Sequence, residues 1–323
     1  MKRRSLTLSA AALALVPLLG HAQPQAFPEK PITFVVPFAA GTATDQIARA
    51  LGNSITAETK QPVVIDNKAG ASGFIASQQV AKAAADGYTV LITTNTTHAA
   101  NEHLFKKLPY DPVKDYVPIT ALGKGGQIMV VNPSFPAKSV AEFVALAKKE
   151  PGKYSFGSGS SSSRMAGELL QQMADIKLLH VPYKSNTLAV TDLLGGQIHM
   201  MITDAATGLP QVKGGKLRAL GVSSAARSPL APDVPTISEA GVKGYEMGYW
   251  FAAYAPAKTP QAVVKRLNEL LVKAAKSESA KTAFYEPTGT EVFTTSPEEL
   301  ARFQTAESQK WGRIVKAAGI EAE

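Results

Sequence analysis

Cysteine is absent from the 323-residue chain, which excludes disulfides, thiol catalysis and thiolate metal sites and suits an oxidising compartment. Long apolar runs are also missing beyond the first twenty or so residues, so no later segment is expected to span a bilayer. Aromatic residues make up only 7% of the chain, and no basic cluster is interleaved with them. The pairs Lys106-Lys107 and Lys148-Lys149 stand isolated, reading as solvated helix ends, and a nucleic-acid partner is therefore not expected.

At the amino terminus Lys2, Arg3 and Arg4 precede an apolar run from Ala10 to Leu19 and the small-residue exit Gly20-His21-Ala22. This is the pattern of a secretory signal peptide, residues 1–22, cleaved after Ala22. No cysteine stands there to take a lipid, so release into the periplasm is expected. Removing the three leader cations takes the formal charge from +8 to +5, a mild attraction for anions. A chain of 323 residues with 45% hydrophobic content exceeds what one core usually organises, and two lobes follow as the expectation.

Short β-branched runs at Ile32–Val36, Val63–Ile65, Thr89–Thr93, Ile128–Val131, Leu178–Val181 and Met200–Thr203 alternate with segments of helical period, implying mainly parallel sheets covered by helices. Helix starts are marked by Ser139 with Glu142, by Ser296 with Glu299, and by Thr259-Pro260, which leads into the stripe Val263, Leu267, Leu270, Leu271 and Ala274. These are capping signals before packing helices.

Two strand-to-helix junctions place glycine and hydroxyl residues where a helix begins. One is Pro37-Phe38-Ala39-Ala40-Gly41-Thr42-Ala43-Thr44-Asp45; the other is Gly157-Ser158-Gly159-Ser160-Ser161-Ser162-Ser163-Arg164. Glycine permits close approach, hydroxyls donate hydrogen bonds, and the helix end exposes unpaired amides, so each can cradle an anion. Alternatively Thr44 and Ser162 or Ser163 merely cap their helices. That two such loops occur in one chain favours binding.

Enzymatic readings find less support. Gly157-x-Gly159 has Ser162 where a dinucleotide fingerprint needs its third glycine, and Asp175 stands too near to be the acidic partner. No serine has the flanking glycines of a nucleophile elbow. His98, His103, His180 and His199 show neither zinc-site spacing nor a partner set for general-base work, so neither metal nor cofactor is expected. Asp204, just after Met200–Thr203, falls at a sheet's carboxyl edge, as a ligand acceptor or as a turn-forming aspartate.

Together with these residues, the ordered segments Pro28–Ile32, Val35–Phe38, Asp66–Ala71, Leu108–Asp115, His180–Lys184, Asp192–Gln197 and Gly214–Leu220 give the chain a resemblance to the Bug family. Its members are extracytoplasmic receptors of tripartite tricarboxylate transporters, and the resemblance covers nearly all of the sequence after the leader. It implies a type II, Venus-flytrap periplasmic binding fold, one lobe formed by residues 23–122 and 250–323 and the other by 123–249. It also implies a monomer that binds a small carboxylate (a dicarboxylate, amino acid or aromatic acid), hands it to a membrane permease and catalyses nothing. The positions matching the family's ligand loops are Phe38, Ala39, Gly41, Thr42, Thr44 and Asp45; Thr94, Asn95, Thr96 and His98; Ser160, Ser161, Ser162, Ser163 and Arg164; and Tyr183 and Asp204. The sequence departs from the family at Thr42, where a second glycine is usual, at Lys184-Ser185-Asn186, and at Arg164. This arginine is either a bidentate carboxylate clamp or an outward charge; its unfavourable placement against the helix dipole favours the clamp. The rival functions are a periplasmic hydrolase using Ser160 and a sensor partner that presents its ligand to a membrane kinase.

Overall fold

The computed structural model describes residues 27–317 and 319–322; the expected leader lies outside them. Among the described residues nine strands, β1 (Ile32–Val36), β2 (Val63–Asn67), β3 (Thr89–Thr94), β4 (Tyr116–Val131), β5 (Ser155–Ser158), β6 (Leu179–Pro182), β7 (Met200–Asp204), β8 (Arg218–Val222) and β9 (Gly248–Pro256), follow the spatial order β2-β1-β3-β9-β4-β7-β5-β6, with β8 also on β4. The result is the two-lobed α/β architecture the sequence implied.

The two lobes share β4. Its residues from Tyr116 to Gly126 pair with β9, whereas Gln127 to Val131 pair with β7 and β8. At about 3.3 Å per residue, a strand of 16 residues is long enough to run through both sheets. Register shifts near Pro118–Thr120, Ala121–Gly123 and Met129–Val130 bend it on the way, as bulges do. The expected parallel pairing holds for β1 with β2 and β3, and for β5 with β6 and β7. By contrast β9 and β4 run antiparallel to their neighbours, so each sheet is mixed. A strand that returns from the other lobe has to point the opposite way.

β9 and the first part of β4 carry no alternating pattern. Residues Tyr249 to Pro256 are buried on both faces, and the run Lys124-Gly125-Gly126 reads as a turn; neither was visible as a strand by period. Caps behave more regularly. Ser139 Oγ accepts from the Glu142 amide at 3.1 Å, and Ser296 and Glu299 exchange bonds of 3.1 and 2.8 Å before the helix Pro297–Ala317. Thr259 does not cap: its hydroxyl donates to the Pro256 carbonyl, and the helix starts at Gln261.

In the first lobe Ile32, Phe34 and Val36 of β1 pack against Ile47, Leu51 and Ile55 of the helix Ala43–Thr59 and Leu267 and Leu271 of the helix Gln261–Ala275. In the second, Ile128, Val130 and Met201 meet Val190, Leu193 and Leu209. A third cluster, with Leu91, Met129, Phe156, Met165, Trp250 and Trp311, runs through both lobes. The sites at the strand ends therefore rest on continuous packing.

Where β4 changes lobes the backbones crowd: a Cβ on Gly126 would lie 2.7 Å from Ser224 Oγ and 2.8 Å from its Cβ. Overpacking there should cost about 1–3 kcal/mol. Gly126→Ala is expected to lower the denaturant midpoint accordingly, and an unchanged midpoint would show that the crossing tolerates a side chain.

Candidate ligand-binding site

Both glycine-hydroxyl loops follow parallel strands and open helices. The first joins β1 to Ala43–Thr59, the second β5 to the helix Ser161–Ala174. Each ends its strand at the carboxyl edge of its own sheet, where α/β folds bind ligands.

Asp45 organises the first loop. Its carboxylate accepts from the Gly41 amide at 2.9 Å, from Arg49 Nε at 2.9 and 3.0 Å, and from Asn67 Nδ2 at 3.1 Å. Asn67 also donates to the Phe38 carbonyl at 3.0 Å. Burial alone would raise the Asp45 pKa, but the bonds from Arg49, Gly41 and Asn67 outweigh it and hold the carboxyl below its ordinary value. The loop is thereby fixed from behind. Among the described residues no protein group takes the amides of Ala43, Thr44 or Asp45.

Ser160 caps the second helix, its Oγ accepting from the Ser163 amide at 3.2 Å and lying 3.1 Å from Ser162 Oγ. Ser163 Oγ donates to the Ile202 carbonyl and Ser161 Oγ to Asn101 Oδ1. Gly159 is pressed against the chain at Ser185–Asn186: a Cβ there would lie 1.8 Å from the Ser185 carbonyl carbon. Its amide donates to Asn186 Oδ1 at 3.0 Å, and Asn186 Nδ2 donates to Asp204 at 3.0 Å. Asp204 also accepts from the Thr207 amide and hydroxyl at 2.9 and 2.8 Å, capping the helix Ala205–Lys213. Of its two alternatives the structure shows the local one, an aspartate that caps the following helix, and it stands at the cleft wall.

The two loops meet across an inner cleft of about 40 Å³ lined by Phe38, Thr42, Ala43, Thr44, Thr94, Gln127, Gly159, Ser160, Ser162, Asn186, Asp204, Tyr249 and Phe251. An outer chamber of about 380 Å³ adjoins it, sharing Phe38, Gly159 and Ser160 and adding Ser158, Ser161, Arg164, His180, Tyr183 and Lys184 among others. No lysine or arginine lines the inner cleft; its positive character comes from the helix ends. Arg164, 3.8 Å from Glu168, and Lys184 supply charge to the chamber. Tyr183 OH donates to Asp192 at 2.8 Å, and burial, then that bond, push its pKa up to about 12.

Of the positions matched to ligand loops, Phe38, Thr42, Thr44, Thr94, Ser160, Ser162 and Asp204 come together at the inner cleft, and Ser161, Arg164 and Tyr183 at the chamber. Ala39, Gly41, Asp45, Asn95, Thr96, His98 and Ser163 line neither. His98 is fully buried: its ring stacks on Tyr254 with centroids 3.9 Å apart, its Nδ1 lies 2.8 Å from Thr97 Oγ1, and burial lowers its pKa to about 3. It is a neutral core histidine. Sequence reasoning missed Gln127, Asn186, Tyr249 and Phe251, because the crossing strands and the Ser185 cap carry no motif of their own.

A larger cavity, about 910 Å³, lies beside the crossing strands and shares Gln127 and Tyr249 with the cleft. Neither glycine-hydroxyl loop reaches it, and Lys124 with Glu291, Arg227 with Glu239 and Lys310 with Glu307 pair off around it. Helix-end amides single out the smaller cleft. Among the described residues no group of histidine and acidic side chains could hold a metal, and no helix is long and apolar enough to cross a membrane.

Residues 47–320 match the model of a family described as the tripartite tricarboxylate transporter family receptor. The chain is similar to Protein BugT of Bordetella pertussis, 34% identical over 298 residues that cover 91% of each chain. It is also similar to an R. palustris protein solved with adipate, at 34% identity over 92% of this chain and 100% of that one with a TM-score of 0.89. A further similar structure is MatC from Rhodopseudomonas palustris with bound malate, at 31% identity over 90% and 100% of the chains with a TM-score of 0.84.

The depressed pKa of Asp45 gives a signed prediction. A carboxyl whose pKa is lower folded than unfolded adds stability above the unfolded value, about 3.9, and loses it as pH falls through the folded one. With Arg49 half exposed, Asp45→Asn should cost about 1–2 kcal/mol at pH 7, and the gap to wild type should close in acid. Chemical denaturation between pH 2 and 7 checks this; a gap independent of pH would show that the charge is not what holds the loop.

Proposed function

The chain belongs to the tripartite tricarboxylate transporter receptor family, and from that premise we propose that it is a periplasmic solute-binding protein that captures a small carboxylate between lobes 23–122 with 250–323 and 123–249. The observation that carries this reading is the pair of helix amino termini whose untaken amides, at Ala43 and Thr44 and at Ser162, belong to residues lining one cleft from opposite lobes. A carboxylate has four lone-pair directions and can accept from both ends at once.

The inner cleft of about 40 Å³ takes one carboxylate and the carbon next to it, at roughly 10–15 Å³ per water-sized probe. The rest of the ligand extends into the chamber, toward Arg164 and Lys184. That neighbours of this fold were solved with adipate and with malate supports a ligand carrying a second carboxylate. Closure is a population shift: contacts made to both lobes exist only in the closed form, so the ligand favours it. The closed monomer then presents a surface to a membrane permease, completing the transport role.

The hydrolase reading is less favoured by the geometry. Ser160 Oγ bonds to Ser162 and Ser163, while His180 Nε2 lies 2.7 Å from Ser158 Oγ instead. Ester hydrolysis abolished by Ser160→Ala would nevertheless restore it. A sensor partner would use the same cleft and differ only in what its closed face meets.

A thermal-shift screen of the mature protein against mono-, di- and tricarboxylates and amino acids tests the proposal. At a hundredfold excess over Kd a ligand adds about 2.7 kcal/mol, a rise of several degrees in Tm, and small-angle scattering should show compaction with the same compounds. Silence from every carboxylate would sink the reading. Arg164→Ala should weaken dicarboxylates more than their monoamides, and equal losses would remove the guanidinium from the contact set.

A further inference from the structure

Gln127 is the first residue of β4 to enter the second sheet, directly opposite Asp204 in the antiparallel register. It is 2% exposed and lines the inner cleft, yet its carbonyl Oε1 is buried without a hydrogen-bond partner. Strand alternation settles its direction. Ile128 packs with Leu209 and Val222 on one face, whereas Met129 packs with Met165 and Ile202 on the other. Gln127 shares the face of Met129, toward the amino end of the helix Ser161–Ala174 and the cleft.

A buried acceptor left empty costs about as much as the hydrogen bond it forgoes, so a residue of the cleft wall carries an acceptor in want of a donor. Asp204, its cross-strand neighbour, does not compete for one. Its oxygens already accept from Asn186, Thr203 and both donors of Thr207. The negative charge of Asp204 nevertheless favours a donor over an acceptor beside it. The inner cleft is also too small for much beyond a carboxylate and the carbon that bears it.

From this geometry we infer that Gln127 is a specificity-determining residue: its side-chain carbonyl accepts a hydrogen bond from a hydroxyl or ammonium on the carbon adjacent to the bound carboxylate. The assignment rests on the carboxylate-receptor reading and sharpens it. The cleft prefers 2-hydroxy and 2-amino acids over the plain acids of the same length, because only they satisfy Oε1 when the lobes close.

Matched probes test this by isothermal titration calorimetry on the mature protein: succinate against malate and aspartate, and glutarate against 2-hydroxyglutarate and glutamate. In the wild type the donor-bearing member of at least one set should bind about tenfold more tightly or better. In Gln127→Met, which keeps the length and removes the acceptor, the preference should vanish chiefly through weakened binding of the donor-bearing acids. Equal affinities in the wild type, tighter binding of the plain acids, or a preference that survives in Gln127→Met would each overturn the assignment. The wild-type comparison decides even if the variant fails to fold. Binding of plain and donor-bearing acids alike would leave the receptor reading standing and remove only the role of Gln127; no binding by any of these probes would also remove that role, and the receptor reading falls with it only if every carboxylate in the thermal-shift screen is silent as well.

Discussion

The first amides of a helix have no partner inside it, and in this fold two helices are obliged to start at the same place from opposite sides. The helix Ala43–Thr59 begins at the end of β1 and the helix Ser161–Ala174 at the end of β5. Their amino termini face one cleft. Water can satisfy those amides while the lobes stand apart, but closing the cleft over them without an acceptor would bury unpaired donors. A bound anion removes that penalty. On the proposed reading the stability of the closed state is thus tied to the occupant by the same backbone groups that would recognise it.

Much of the surrounding polar structure serves to keep those amides in place. Asp45, Arg49 and Asn67 hold the first loop from behind, and the relay from Gly159 through Asn186 to Asp204 and Thr207 holds the second. The charged members of these networks are spent on protein partners and are poor candidates for direct ligand contact. That division is consistent with the proposed anion cleft, whose inner wall carries no cation among the described residues. Fixed dipoles supply the field, and because their hydrogen bonds are already oriented, little ordering remains to be done on binding.

The connection between the lobes is built from the sheets themselves. β4 belongs to both lobes and β9 runs beside its first part, so the proposed closure would bend the stretch where Gly125 and Gly126 lie opposite Tyr249 and Gly248. That stretch also floors the cleft, through Gln127 and Tyr249. On the proposed reading motion and recognition would therefore meet in adjacent residues, and a contact made at Gln127 would be felt where the lobes turn.

Much of this was legible in the residues alone. Alternation of strands with amphipathic helices implied the α/β class, the caps at Ser139 and Ser296 marked two helices, and the glycine-hydroxyl loops pointed to an anion cradle, because each of these is a local signal set by period or by the chemistry of a helix end. Residues such as Thr44, Ser160 and Ser162 could be singled out for that reason. The tertiary structure alone decided the rest. It sent His98 into the core against Tyr254, turned Asp45 away from the cleft to brace its loop, and brought in Gln127, Asn186, Tyr249 and Phe251 from segments without a motif. A hydrogen-bonding group in a sequence shows what it can bond to; which partner it obtains depends on strands and loops that are distant along the chain and neighbours only once it has folded.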